Sequence, residues 1–123
     1  MKNRESEEMY LETILLLKGR LSFVRSVDVA EELGYSRPSV SRAVNLLQKK
    51  EYITISKGGD LSLTEAGMKR AADIYERHRV ITKLLMQMGA DSVLAEDNAC
   101  RIEHVISPEL FEVLKTYAAR NSG

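Results

Sequence analysis

A mainly α-helical chain that opens with a winged helix-turn-helix and continues as an all-helical segment is the fold class this sequence predicts. Three observations lead there. Apolar residues recur at spacings of three and four along most of the 123 residues, whereas alternation at period two is confined to the stretches flanking Lys57-Gly58-Gly59-Asp60. Only two prolines occur, and glycines stand at segment ends.

Taken in order, Met9, Ile14, Leu15 and Leu17 form the apolar stripe of a first helix, over about residues 6 to 17 or 18, with Gly19 expected to end it. Ser26 is the expected N-cap of a short second helix, and Gly34 suits the left-handed position at its C-terminus. Pro38 fits the first turn of a third helix, whose stripe is Val40, Ala43, Val44 and Leu47 and which stops near Lys50. Two short helices joined by a Gly-containing turn, the second rich in Ser and Arg outside, make a helix-turn-helix. Residues 52–55 and 61–64 alternate around the glycine pair and supply a hairpin wing.

Thr64 then caps a long fourth helix over residues 65–88. At 1.5 Å per residue it reaches roughly 36 Å, farther than a winged module needs. The boundary is therefore placed after residue 73, with 1–73 as a winged helix-turn-helix DNA-binding domain and 74–123 as a second, helical domain. Asp91 or Ser92 caps a fifth helix expected to run to about Ile106, and Ser107-Pro108 opens a sixth through about Ala119.

Composition bounds the function. Lys plus Arg equals Asp plus Glu at 18 each, the net charge is zero and the pI about 6.7. A uniformly basic coat and an acidic disordered tail are both excluded. With 44% hydrophobic residues the chain can bury a core, but it is too short for a barrel enzyme. A small domain gains core by dimerising, so a homodimer is expected. Cys100 is the single cysteine, and no apolar run approaches a membrane span or signal peptide, so a cytoplasmic protein without membrane association is expected.

Charge is local. Arg37, Arg42, Lys49, Lys50 and Lys57 against Glu51 make residues 35–58 net +4. Between 91 and 112, Asp91, Glu96, Asp97, Glu103, Glu109 and Glu112 against Arg101 make a net −5. One end suits phosphates and the other cations. Each alone reads equally as a solvated helix face; the coincidence with a winged helix favours double-stranded DNA. The candidate contacts are Ser36, Arg37, Pro38, Ser39, Ser41 and Arg42 at the start of the reading helix, where backbone N–H groups and side chains reach phosphates and base edges. Lys49, Lys50 and wing residue Lys57 suit phosphates, as point charges on flexible stems. Ser36 reads equally as a helix cap.

The acidic segment holds Cys100, Glu103 and His104 at i, i+3 and i+4, with Glu96 one turn earlier; His78 stands one turn after apolar Ile74 on the fourth helix. Carboxylate, imidazole and sulfur together favour Fe(II), Co(II), Ni(II) or Zn(II) over Mg(II) or Ca(II), with Mn(II) less favoured by sulfur. Residue by residue, a buried thiol and a satisfied core histidine are the plainer readings. Catalysis is not expected: Cys100 and His104 point in parallel, no Gly-rich oxyanion loop is evident, and H-E-x-x-H is absent.

Across roughly residues 7–114 the chain resembles the diphtheria-toxin-repressor family of metal-dependent transcriptional repressors, which includes iron-dependent repressors and manganese transport regulators, in its short two-domain form. The likeness is carried by Glu8-Met9-Tyr10-Leu11, Arg37-Pro38-Ser39-Val40-Ser41 and Ala99-Cys100-Arg101-Ile102-Glu103-His104-Val105-Ile106-Ser107. It implies a primary metal site from Met9, Cys100, Glu103 and His104, of the iron-responsive kind. Manganese regulators generally carry Asp and Glu in place of Met9 and Cys100, while Glu12 matches a carboxylate of that manganese branch. In an ancillary site His78 matches a ligand, Glu96 stands where His is frequent, and Thr82 replaces a Glu.

The chain ends at Gly123, so no SH3-like C-terminal domain is expected. The resemblance further implies a homodimer through the second, dimerisation and metal-sensing domain, presenting two winged helices to a palindromic operator. The expected function is a metal-activated repressor, with Fe(II) first, Mn(II) as the alternative, and Zn(II), Co(II) or Ni(II) as surrogates. The metal would tie the first helix to the fifth. A winged-helix regulator sensing a small organic ligand or a protein is the rival.

Overall fold

The computed structural model describes residues 2–120, with side chains from residue 7 onward. It is mainly α-helical with one hairpin: α1 (Lys2–Arg20), α2 (Ser26–Leu33), α3 (Arg37–Lys49), β1 (Ile53–Ile55), β2 (Leu61–Leu63), α4 (Glu65–Gln87), α5 (Ser92–Ile102) and α6 (Pro108–Arg120). The chain separates into two compact units, Met1–Ala72 and Asp73–Gly123.

In the first unit, Leu11 and Ile14 of α1, Val29 of α2, and Val40, Val44 and Leu47 of α3 are almost wholly buried together. Ile53 and Leu61 of the hairpin close the same core, which apolar burial alone drives. The strands are antiparallel, with Ile53 opposite Leu63 and Ile55 opposite Leu61. The segment before α2 joins them: the Leu61 N–H donates to the Val24 carbonyl at 2.7 Å, and the Val24 N–H to Asp60 Oδ1 at 2.9 Å. Lys18 Nζ donates to the same Asp60 oxygen at 2.8 Å.

Local chemistry sets the ends. Gly34 takes the left-handed conformation (φ 72°) that closes α2. Ser36 caps α3, its Oγ accepting from the Ser39 N–H at 3.3 Å. Asp91 caps α5, accepting from the Leu94 N–H at 2.8 Å. Pro108 stands first in α6, where no N–H is required.

Four boundaries differ from the sequence reading, the first being that α1 begins at Lys2 rather than near residue 6. Gly19 lies inside α1, which continues to Arg20 and closes with Leu21 N–H donating to the Leu17 carbonyl at 2.7 Å. Ser26 is not the cap of α2; Arg25 holds that position, and its N–H donates to the Asp28 carboxylate at 2.8 Å. α5 stops at Ile102 rather than Ile106. There the N–H groups of Val105 and Ile106 both turn back onto the Ile102 carbonyl, at 3.0 and 3.1 Å.

Arg77 accounts for that early stop. In the second unit its Nη1 donates to the carbonyls of Glu103 (3.2 Å) and Ile106 (2.9 Å), and its guanidinium lies over Phe111 at 5.5 Å. A fixed cation thus satisfies carbonyls that a longer helix would have bonded internally. Lys115 of α6 pairs with Glu76 of α4 at 2.9 Å.

Acid should loosen the first unit. Burial works to raise the Glu7 carboxyl, but hydrogen bonds from Lys50 and Arg70 outweigh it and hold Glu7 below the usual carboxylate range. The Lys18 hydrogen bond, with the Val24 N–H, lowers Asp60 in the same direction. A depressed carboxyl contributes stability that is complete above its unfolded pKa and lost as pH falls through the folded one. The melting temperature should therefore fall steeply below about pH 4, and Glu7→Gln should shallow that slope. Equal slopes for both proteins between pH 6 and 3 would remove Glu7 from the account.

Candidate DNA-reading face and metal centre

The start of α3 presents an exposed polar face. Ser36 Oγ donates to Ser39 Oγ at 2.9 Å, and Arg42 Nη2 donates to the same Ser39 oxygen at 3.4 Å, so three of the candidate residues form one connected group. Arg37, Pro38, Ser41, Arg42 and Lys49 are exposed, as is Lys57 at the hairpin tip. Lys50, counted with the basic patch from sequence, instead pairs with Glu7 of α1. Arg70 joins that pair, meeting Glu7 at 3.1 Å and Glu8 at 3.5 Å while its guanidinium lies over the Tyr52 ring.

Met9 and Glu12 belong to α1 and are half-buried. The Tyr35 hydroxyl donates to Met9 Sδ at 3.4 Å, and the Tyr35 ring meets Tyr10 edge-on, with centroids 6.1 Å apart and planes at 67°. Sequence spacing carried no sign of this contact, because the two residues lie 26 apart and the partner is a turn residue.

In the second unit the donors gather about Glu103, which is 0% exposed. His78 Nδ1–H donates to Glu103 Oε2 at 2.8 Å, and His104 Nε2 stands 3.4 Å from Glu103 Oε1. Cys100 and Glu96 do not join them; both are exposed on α5. A shared face at i, i+3 and i+4 requires one continuous helix, but Glu103 and His104 lie beyond the end of α5 and turn inward. Thr82, in the position of an expected carboxylate, is half-buried, and its Oγ1 has no hydrogen-bond partner.

Among the described residues, no three His, Cys, Asp or Glu side chains stand as a group able to hold a metal ion. By chemical type the donors do fit a divalent transition metal. Glu103 is a buried carboxylate flanked by two imidazoles, and its Oε1 has no hydrogen-bond partner, a condition that a cation relieves. Convergence is what they lack: one Glu103 oxygen is engaged by His78, and the sulfur faces solvent.

Comparison with known proteins places these features. Residues 4–61 match the N-terminal DNA binding domain of the iron dependent repressors, and residues 64–120 match their metal binding and dimerisation domain. The chain belongs to the iron-dependent repressor family. It is 33% identical over 124 residues to the diphtheria toxin repressor of Corynebacterium jeikeium (strain K411), covering 97% of this chain and 52% of that protein. It is 30% identical over 115 residues to the uncharacterized HTH-type transcriptional regulator MJ0568 of Methanocaldococcus jannaschii, covering 92% of each. Among solved structures it is similar to the manganese regulator SloR, with a TM-score of 0.82 and 27% identity over 92% of this chain and 53% of that one.

The chain thus spans about half the length of the diphtheria toxin repressor it matches. As an iron-dependent repressor family member it has the DNA-binding and the metal-binding and dimerisation domains in the order expected. No helix among the described residues is long and apolar enough to cross a membrane.

Proposed function

We propose that this chain is a homodimeric, metal-activated transcriptional repressor that acts in the cytoplasm, with Fe(II) as its activating ion and a palindromic operator as its target. The observation that carries the reading is the buried Glu103 carboxylate between two imidazoles, in a domain of metal-binding lineage. Glu103, His104 and Cys100 are donors of the primary site and His78 and Glu96 of an ancillary one; Met9 and Glu12 are metal ligands by resemblance to the family. When bound, the ion supplies the positive charge that this acidic segment lacks. Arg77 holds the turn that carries Glu103 and His104, and His78 orients the Glu103 carboxylate through its Nδ1–H.

Exposed Val93, Leu94, Val105, Leu110, Val113 and Tyr117 supply an apolar surface on the second unit suited to a second copy of this chain. A two-fold dimer would read half-sites about 34 Å, or a multiple, apart. Ser36, Arg37, Pro38, Ser39, Ser41 and Arg42 would meet the major groove, with Lys49 and Lys57 on the backbone.

Mn(II) is the second reading. The exposure of Cys100 leaves oxygen and nitrogen donors in the buried set, Glu12 adds a carboxylate, and SloR, which this chain resembles, is a manganese regulator. Anaerobic titration with Fe(II), Mn(II), Zn(II) and Co(II), while following binding to an operator selected from a random duplex pool, separates the two. Operator affinity that is identical with metal and with chelator would remove metal activation and favour a regulator sensing an organic ligand or a protein.

Arg42→Ala should weaken operator binding by about 1–3 kcal/mol while leaving metal affinity at its wild-type value. Fluorescence anisotropy on labelled operator measures the first and chelator competition the second. A change confined to metal affinity would show that α3 does not present Arg42 to DNA.

A further inference from the structure

We propose that Tyr35 is a positioning residue that joins the Met9 thioether to the reading helix, so that capture of a cation by Met9 is transmitted within the first unit to Ser36, Ser39 and Arg42. The inference rests on the reading of Met9 as a metal ligand. Tyr35 sits in the turn of the helix-turn-helix, its N–H donating to the Ala30 carbonyl at 3.2 Å, immediately before the Ser36 cap of α3. Its hydroxyl donates to Met9 Sδ. A thioether sulfur has two lone pairs, so a bond from Tyr35 leaves one for a cation while fixing a side chain of unusual rotamer freedom.

The aromatic body of Tyr35 is anchored on α1. Its ring packs edge-on against Tyr10, which is buried at 6% exposure. Arg42 and Ser36 each hydrogen-bond Ser39. Tyr35 is followed in the chain by the Ser36 cap, so the path runs from the sulfur through the phenol to the start of α3 and, through Ser39, to Arg42. Reciprocity demands that whatever Tyr35 contributes to metal binding appears equally in the metal dependence of operator binding.

Tyr35→Phe removes the hydroxyl and keeps the ring, so the melting temperature should stay at the wild-type value. Fe(II) and Mn(II) affinities, measured anaerobically by competition with a colorimetric chelator, should fall about fivefold, the worth of one modest hydrogen bond. The ratio of operator affinities with and without metal should shrink by the same factor. In metal-free protein, the 13C-methyl resonance of Met9 should move toward its random-coil position, reporting a released thioether without any metal present. Unchanged or tighter metal affinity in the variant, or an unmoved Met9 methyl, overturns the proposal. A wild-type protein that captures neither metal, but whose Met9 methyl still moves in the variant, would locate the failure in the metal reading.

Discussion

Gly67→Ala should unfold the first unit at temperatures where the parent protein is intact. A Cβ at Gly67 would lie 2.0 Å from the carbonyl oxygen and 2.9 Å from the carbonyl carbon of Tyr52, both backbone atoms. That carbonyl cannot retreat freely, since it accepts the Thr64 N–H at 3.0 Å. The Gly67 N–H donates to Thr64 Oγ1 at 3.1 Å, and the Thr64 hydroxyl donates to the Glu51 carbonyl at 2.7 Å. Forcing this junction apart should cost about 3 kcal/mol, against the ~1 kcal/mol that alanine gains in helix propensity. The net loss should lower the melting temperature by on the order of 10 °C. Gly19→Ala is the matched control: a Cβ there meets nothing within 4 Å, so the same replacement in α1 should stabilise. Equal melting temperatures for the two variants would contradict the close approach at Tyr52.

Glu103→Gln should lower metal-stimulated operator affinity by on the order of 100-fold, as loss of a charged donor at such a site does. Glutamine keeps the volume of this fully buried side chain and can still accept from His78 through its amide oxygen, so the circular-dichroism melt should change little. Truncation to alanine would leave a cavity beside two imidazoles and confuse the two effects. Cys100→Ala is the companion measurement. Loss of the Fe(II) response with retention of the Mn(II) response would assign the sulfur to iron sensing; loss of neither would favour the manganese reading. A Glu103→Gln protein with the wild-type metal response would remove the proposed centre.

Elements whose ends are fixed by local chemistry were legible in the sequence. Ser36, Asp91 and Gly34 act within three or four residues of themselves, and the Gly58-Gly59 turn announces its hairpin by composition. Features decided by distant partners were not. Gly19 stays helical because Leu17 beside it is buried in the core. Glu51 adopts a left-handed conformation (φ 66°) that no residue type at that position advertises. Lys50 looked like a phosphate contact until Glu7, 43 residues away, claimed it.

The candidate centre divides along the same line. His78, Glu103 and His104 were each legible as candidate donors, but the hydrogen bond that joins His78 to Glu103, residues expected in two different sites, was not. The exposure of Cys100 was not, because its face depends on where α5 ends, and Arg77 sets that end from another helix. Tyr35 carries no signal in the sequence for a related reason: its turn reads as punctuation between helices, and only the fold brings it to Met9.

The Val24 rung carries one more consequence. A lone two-stranded ribbon exposes unpaired N–H and C=O groups along both borders, and such borders invite other chains to add strands. Here Leu61 spends its outward N–H on Val24, and Asp60 captures the Val24 N–H in return. One border is thereby capped from within the chain, which protects the wing from strand addition by another copy.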